Sequence, residues 1–166
     1  MMKKIVIAAA MVALSSGSAF AASGSSATAT GSATATVVAP IVLTHTAGAA
    51  LNFGKFTAGT GGTVVVTAAG VASATADVGI VPGSTSSADA FTVTGDNNRT
   101  FTITTTSGTV TQGANSLSFT TAPSAASGTL SATGTGAFTV GGTLTVPGTA
   151  VAGAYTGTYS ATVAYN

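Results

Sequence analysis

Residues 91–104 read Phe91-Thr92-Val93-Thr94, Gly95-Asp96-Asn97-Asn98, Arg99-Thr100 and then Phe101-Thr102-Ile103-Thr104. Large apolar and hydroxyl side chains alternate on both sides of the polar tetrapeptide. Successive side chains of an extended chain point to opposite faces, so each half predicts a strand with one buried and one exposed face. Gly, Asp and Asn are typical of tight turns. The stretch therefore predicts two strands joined by a turn.

The same period of two continues along the chain, and Gly- or Pro-containing turn signals such as Pro82-Gly83 separate the alternating runs. We expect eight to ten short strands, which favours an antiparallel sandwich or barrel over any helical fold. Gly59-Thr60-Gly61-Gly62 is interpreted as a hairpin turn and not as a phosphate loop, because the run Val64-Val65-Val66 that follows predicts a strand. Further alternating runs are Leu117-Ser118-Phe119-Thr120, Phe138-Thr139-Val140 and Leu144-Thr145-Val146.

The composition excludes several classes of function. The 166 residues include four Lys or Arg, three acidic residues, one histidine and no cysteine. Without a basic patch to neutralise phosphates, we expect no nucleic-acid partner. His45 has no carboxylate nearer in sequence than Asp77, and no Ser stands in a Gly-x-Ser-x-Gly elbow, so we expect no enzyme. We likewise predict no catalytic, cofactor-binding or metal residues, no cofactor and no small-molecule substrate.

The N-terminus has the pattern of a signal peptide. Lys3 and Lys4 precede an apolar run from Ile5 to Leu14, and Ala19-Phe20-Ala21 has the small-x-small pattern of a cleavage site. The run is shorter than the roughly 20 residues that span a bilayer, so we predict cleavage after residue 21 and export through the inner membrane. The mature chain then has two cations and three carboxylates.

Residues 22–36 form a separate N-terminal extension, and the predicted domain covers residues 37–166. Every even position from Thr28 to Thr36 is Thr or Ser, which places hydroxyl groups on one face of an extended chain. We interpret this segment as a latent strand and not as a linker. Its opposite face carries only small residues, which are Ala27, Ala29, Gly31, Ala33 and Ala35.

Several motifs resemble known families. The chain looks like the bacterial family called domain of unknown function 4402, and the resemblance covers about Ala33 to Asn166. Its two ends also resemble chaperone–usher pilins of the archaic, spore coat U-like branch. The family motifs are Leu51-Asn52-Phe53-Gly54, Gly61-Gly62-Thr63-Val64-Val65-Val66, Phe91-Thr92-Val93-Thr94-Gly95 and Val140-Gly141-Gly142-Thr143-Leu144-Thr145-Val146; the pilin-like ends are Ala33-Thr34-Ala35-Thr36-Val37-Val38 and Ala152-Gly153-Ala154-Tyr155-Thr156-Gly157-Thr158-Tyr159.

The pilin resemblance implies an all-β, immunoglobulin-like antiparallel β-sandwich that lacks one strand. A periplasmic chaperone fills the resulting groove until the extension of the next subunit replaces it as a donor strand. Here the donor strand would be the small-residue face of residues 22–36. One alternating strand from Tyr155 to Tyr165 would edge the groove and dock the chaperone. The groove residues that this assigns are Gly153, Tyr155, Tyr159, Ala161, Val163 and Tyr165.

The expected function is therefore that of a structural subunit of an extracellular fibre, a pilus or fimbria, that serves adhesion or biofilm formation. Its partners would be neighbouring copies of itself, a chaperone and an outer-membrane usher, and it would pass through the periplasm to the cell surface. The alternative is a non-polymerising, secreted or surface-attached β-sandwich that acts as a binding or adhesin module. A donor face of Ala and Gly side chains would bind weakly, so a further alternative is that the domain completes itself with its own N-terminus.

Overall fold

The computed structural model describes residues 26–166. The predicted signal peptide, residues 1–21, and residues 22–25 of the predicted extension lie outside this range. The chain divides into a unit that ends at Thr36 and a unit over Val37–Asn166. Residues 26–36 belong to no strand and are exposed. Within residues 26–166, no helix has the length and apolar character that a membrane crossing requires.

Thirteen strands follow one another in the described part of the chain, which contains no helix. The number exceeds the eight to ten expected, and three of the strands are only two residues long. Their bounds are β1 (Val42–His45), β2 (Phe56–Thr57), β3 (Gly61–Val66), β4 (Ala72–Ala76), β5 (Gly79–Ile80), β6 (Asp89–Thr94), β7 (Thr100–Thr105), β8 (Gly108–Gln112), β9 (Asn115–Pro123), β10 (Ser127–Thr129), β11 (Thr135–Pro147), β12 (Thr156–Gly157) and β13 (Ala161–Tyr165).

The larger sheet is organised around β11 and has the strand order β1-β6-β11-β9-β8-β12. The first half of β11 pairs with β6, its second half pairs with β3, and β3 also pairs with β4. Residues 142–144 of β11 have partners on both edges, in β3 and in β9. All of these pairings are antiparallel, so β11 holds the two halves of the sheet together.

The smaller sheet has the order β10-β7-β13, and β2 pairs with β5 in a separate ribbon. The turn over residues 95–99 therefore joins β6 of the larger sheet to β7 of the smaller one. The hairpin predicted at Gly59-Thr60-Gly61-Gly62 is wrong, because β2 and β3 lie in different sheets. The turn there does form, with the amide of Gly61 donating to the carbonyl of Ala58 at 2.9 Å.

The interior contains two clusters of buried side chains. The first core lies under β3, β9 and the second half of β11, and the second core lies between the first half of β11, β6 and the smaller sheet. The first core consists of Phe53, Val64, Val66, Val78, Leu117, Phe119, Leu144 and Val146. The second core consists of Phe91, Val93, Phe101, Ile103, Leu130, Phe138 and Val140.

The two cores are covered differently. Strands β7 and β13 of the smaller sheet supply the second core with Phe101 and Ile103 and pack Ala161, Val163 and Tyr165 against it. The first core instead has side chains from irregular segments packed on it, among them Leu51, Ala150 and Tyr155. The smaller sheet thus covers only part of the larger one. The chain has the predicted all-β, sandwich-like fold. Over the first core, chain segments outside the smaller sheet take the place of a second layer.

Candidate functional site

A groove with a volume of about 1410 Å³ opens over the first core. Two chain segments that lie mostly outside strands contribute most of its lining: residues 48–58, which include β2, and residues 150–159, which include β12. We call this feature the apolar groove. It lies where the fold lacks a second layer, so an occupant would complete the cover of the first core.

The base of the groove is made of large apolar side chains. Leu117 and Phe119 of β9 and Leu144 of β11 reach it from the inward faces of their strands and are almost completely buried. Phe91 of β6 and Val110 of β8 extend the apolar lining. The alternating pattern explains this arrangement, because residues 116, 118, 120 and 145 point to the outer face and are exposed.

The backbone along one side of the groove is open. Among residues 26–166, the peptide groups of residues 151–155 form no backbone–backbone hydrogen bond; the carbonyls of Val151 and Ala152 accept bonds from the Tyr155 hydroxyl and the Gln112 amide. In the described chain, β13 pairs with β7 alone and β1 with β6 alone. Unpaired strand edges and extended segments are the sites at which a further strand adds to a sheet.

A polar cluster interrupts the apolar lining where the groove approaches β1 and β13. Asp89, the first residue of β6, is only 6% exposed. Its Oδ1 lies 2.6 Å from Nε2 of His45 and accepts the amide of Ala90 at 2.8 Å. Its Oδ2 accepts the hydroxyl of Tyr159 at 2.8 Å. The carboxylate thus connects β1, β6 and the segment before β13, and these bonds offset the cost of burying it.

Tyr159 connects the two cores. Its ring contacts both clusters and meets the rings of Phe91 and Phe119 edge-on, with centroids 6.3 Å and 6.2 Å away. Burial, together with the hydrogen bond to Asp89 and the charge of that carboxylate, raises the pKa of Tyr159 far above the ordinary tyrosine value of about 10. The hydroxyl therefore stays protonated and remains a donor to Asp89 over the whole physiological range.

The structure separates the residues that were expected to edge the groove. Gly153, Tyr155, Tyr159 and Ala161 line it. Val163 and Tyr165 pack against the second core, on the far part of β13.

The prediction of one continuous strand from Tyr155 to Tyr165 is wrong. Residues 156–157 form β12 and pair with β8, whereas residues 161–165 form β13 and pair with β7. The chain changes sheets between them, because Tyr159 turns inward to the two cores and Gly157 packs against the backbone of Thr109, where no Cβ fits.

The residues assigned to the donor strand lie in no strand of the described chain. Their side chains are exposed, and an added Cβ at Gly31 would meet nothing within 4 Å. Their role in a fibre stays a prediction. The five residues concerned are Ala27, Ala29, Gly31, Ala33 and Ala35.

Sequence reasoning missed the polar cluster. His45 and Asp89 are 44 positions apart, and only the pairing of β1 with β6 brings them together. One signal was available for Asp89, since it stands two and four residues before Phe91 and Val93 and so shares their inward face. Within residues 26–166, no group of three or more His, Cys, Asp or Glu side chains could hold a metal ion.

Comparison with known proteins gives one match. The sequence model of the family described as Domain of unknown function (DUF4402) matches residues 43–165. No curated protein and no solved structure matches the chain. The resemblance to chaperone–usher pilins is therefore not confirmed by these comparisons.

Proposed function

The chain belongs to the family Domain of unknown function (DUF4402), and we propose that its role is structural: it is a subunit of an extracellular fibre that assembles by donor-strand complementation. In this proposal the extension of one copy, residues 22–36, occupies the apolar groove of the next copy. The fibre serves adhesion or biofilm formation at the cell surface.

The observation that carries the proposal is the apolar groove itself. Its base is formed by buried apolar side chains of the first core, between two chain segments, and the peptide groups of residues 151–155 have no backbone partner in the described chain. An added strand would supply both missing components, since its backbone would pair with the open peptide groups and its side chains would cover the core.

The extension has the properties that such an occupant needs. It carries no charged residue, its side chains alternate between hydroxyl and small apolar groups, and residues 26–36 are exposed and outside any strand. Each buried methyl group contributes about 0.8 kcal/mol, so the small face supplies only a few kcal/mol. Most of the affinity must therefore come from the main-chain hydrogen bonds. The alternation of small apolar and hydroxyl side chains fixes the register in which these bonds form.

A groove with an apolar base also has to be protected before a neighbour fills it. Exposed apolar surface and unpaired backbone favour aggregation. We therefore include in the proposal a periplasmic chaperone that occupies the groove in transit, and an outer-membrane usher that exchanges it for the next subunit. The predicted signal peptide would deliver the chain to that compartment.

The test uses two neighbouring residues on opposite faces of the extension. Ala33→Asp places a carboxylate on the face that would enter the groove, where burial of an unpaired charge is costly. Thr34→Asp adds the same charge to the opposite face. The full chain should give a heat-labile ladder of oligomers on a gel, Ala33→Asp should abolish the ladder, and Thr34→Asp should keep it.

Two results would contradict the proposal. A full chain that stays monomeric with its groove accessible would favour a non-polymerising binding or adhesin module. A ladder that tolerates both substitutions equally would show that residues 22–36 do not enter a groove with one face buried.

A further inference from the structure

We infer that occupancy of the apolar groove is linked to protonation of His45, so that an added strand binds more tightly in mildly acidic solution. The inference rests on the proposed function and adds to it a means of regulation. It starts from the polar cluster of His45, Asp89 and Tyr159, which all line the groove.

The two partners of the ion pair differ in their access to water. The side chain of His45 is 50% exposed, whereas that of Asp89 is 8% exposed. A strand that covers the His45 end of the groove would remove water from the imidazole, whereas Asp89 is already buried. Since the imidazole is the partner of the ion pair that solvent still reaches, the charge state of His45 decides how costly this covering is.

The charge of the cluster then sets the direction of the effect. With a neutral imidazole, the cluster holds one carboxylate charge balanced only by hydrogen-bond donors. With a protonated imidazole, the same contact becomes an ion pair with no net charge. Burying a net charge costs more than burying a paired one, so the occupied groove favours the protonated form.

An occupant would also satisfy the second ring nitrogen. Nε2 of His45 faces Asp89, and Nδ1 has no hydrogen-bond partner among residues 26–166. Protonation turns Nδ1 into a donor. A strand in the groove carries backbone carbonyls and Thr hydroxyls that can accept this bond. The occupant therefore stabilises the protonated imidazole directly, in addition to excluding water.

Among residues 26–166, the titratable groups of the cluster around His45 are a carboxylate and a phenol. Asp89 faces it from β6, Tyr159 faces it from the segment before β13, and the uncharged ring of Phe91 lies with its centroid 5.1 Å from that of the imidazole. Lys55 and Tyr155 line the groove further along. Lysine and tyrosine side chains titrate well above neutral pH, and carboxylates well below it.

The experiment measures strand binding as a function of pH. The probe is a synthetic peptide of residues 22–36 with a rhodamine label, and the receptor is the full chain carrying Ala33→Asp, so that its own extension does not compete. Fluorescence anisotropy should show binding on the order of tenfold tighter at pH about 5.5 than at pH about 7.5. In His45→Gln, which keeps a neutral donor to Asp89, the affinity should be the same at both values.

A second readout uses the same Ala33→Asp receptor and needs no substitution at His45. His45 is the chain's only histidine, so its ring gives a single NMR titration. The midpoint of that titration should move to higher pH when the peptide is added. Equal affinity at both pH values with an unmoved midpoint, or a pH dependence that survives in His45→Gln, would overturn the inference. Absence of peptide binding at every pH would instead overturn the proposed function, and the inference with it.

Discussion

At the scale of single residues, the hydroxyl group of Tyr165 connects parts of the chain that are far apart in sequence. It donates to the carbonyl of Ala39 at 2.9 Å and accepts the amide of Asp96 at 2.6 Å. The guanidinium of Arg99 lies 5.2 Å above its ring. Gly95 packs against the hydroxyl so closely that no Cβ fits there. The side chain of Tyr165 thus connects the segment before β1 and the turn after β6 to β13 through hydrogen bonds.

Tyr165→Phe tests this connection, because it keeps the ring and removes both hydrogen bonds. The amide of Asp96 then loses its partner in a half-buried position, so we expect the free energy of unfolding to fall by about 1–3 kcal/mol. Urea denaturation followed by circular dichroism measures this value. The matched control is Tyr155→Phe, whose hydroxyl bonds only to the carbonyl of Val151 in an exposed position and whose loss should cost less than about 0.5 kcal/mol. Equal effects of both variants would refute the connecting role.

The raised pKa of Tyr159 predicts how stability responds to alkaline solution. In the unfolded chain this tyrosine loses its proton near pH 10, whereas in the folded protein the proton is retained. Above pH about 10 the folded state therefore binds more protons, and the free energy of unfolding must fall as the pH rises. Below that pH, the protonated hydroxyl of Tyr159 makes its full contribution to the free energy of unfolding. Urea titrations at several alkaline pH values should show this fall.

Tyr159→Phe should flatten the alkaline dependence even though it lowers stability at neutral pH. The variant retains Tyr155 and Tyr165, so the difference between the two slopes belongs to Tyr159. An unchanged slope would mean that Tyr159 ionises equally in both states.

At the scale of the elements, β11 shows how one strand builds the sheet and the core together. Its residues 142–144 pair on both edges, and its inward side chains contribute to both cores. Leu144 is 2% exposed in the first core, whereas its neighbour Thr145 points outward and is exposed. Apolar side chains of β11 that alternate in the sequence thus point inward, and the hydroxyl side chains between them point outward.

Substitution of these two neighbours should give very different results. Leu144→Ala leaves a cavity in the first core and should cost about 2–5 kcal/mol of unfolding free energy. Thr145→Ala removes an outward-facing side chain and should change stability by about 0.5 kcal/mol or less. Thermal and urea denaturation of both variants measure the difference. Similar losses for the two would show that β11 does not have one buried and one exposed face.

Several strands were predictable from the sequence because alternation is a local property, although the two runs expected at residues 138–140 and 144–146 form the single strand β11. Phe91, Val93, Phe101 and Ile103 were expected on inward faces and are buried. The partner of each strand was not predictable, since the turn at residues 95–99 has the composition of any tight turn and yet joins two sheets. The prediction of a continuous strand from Tyr155 to Tyr165 was wrong for the same reason. A period of two continues through residues 158–160, and the packing of Tyr159 between the two cores and of Gly157 against Thr109 divides it.

The candidate site was predictable only in part. Four of the expected groove residues lie on one local stretch that lines the groove, whereas the base comes from β6, β8, β9 and β11 and depends on the tertiary arrangement. The pairing of His45 with Asp89 had no local signal at all, because the hydrogen bond spans 44 residues.

At the scale of the whole molecule, the surface carries very little charge. Within residues 26–166 the charged side chains are Lys55, Arg99 and three Asp, of which Asp89 is buried. The outer face of the larger sheet presents hydroxyl groups, such as those of Ser118, Thr120 and Thr145. In the proposed fibre, such faces would let neighbouring fibres lie side by side with little electrostatic repulsion.

The expected consequence is that bundles of fibres withstand changes in salt. Light scattering and electron microscopy should show bundles that persist from about 0.02 M to about 1 M NaCl, because there are few charges to screen. Dissolution of the bundles at high salt would show that ion pairs hold them, contrary to this expectation.

The position of β13 in the chain order also affects biosynthesis. Strand β7 receives one of its two neighbours from residues 161–165, so Phe101 and Ile103 stay uncovered while the intervening residues are being translated. A ribosome that has not yet released β13 holds a nascent chain whose smaller sheet cannot close. The smaller sheet and the cover of Phe101 and Ile103 therefore form only after β13 has left the ribosome.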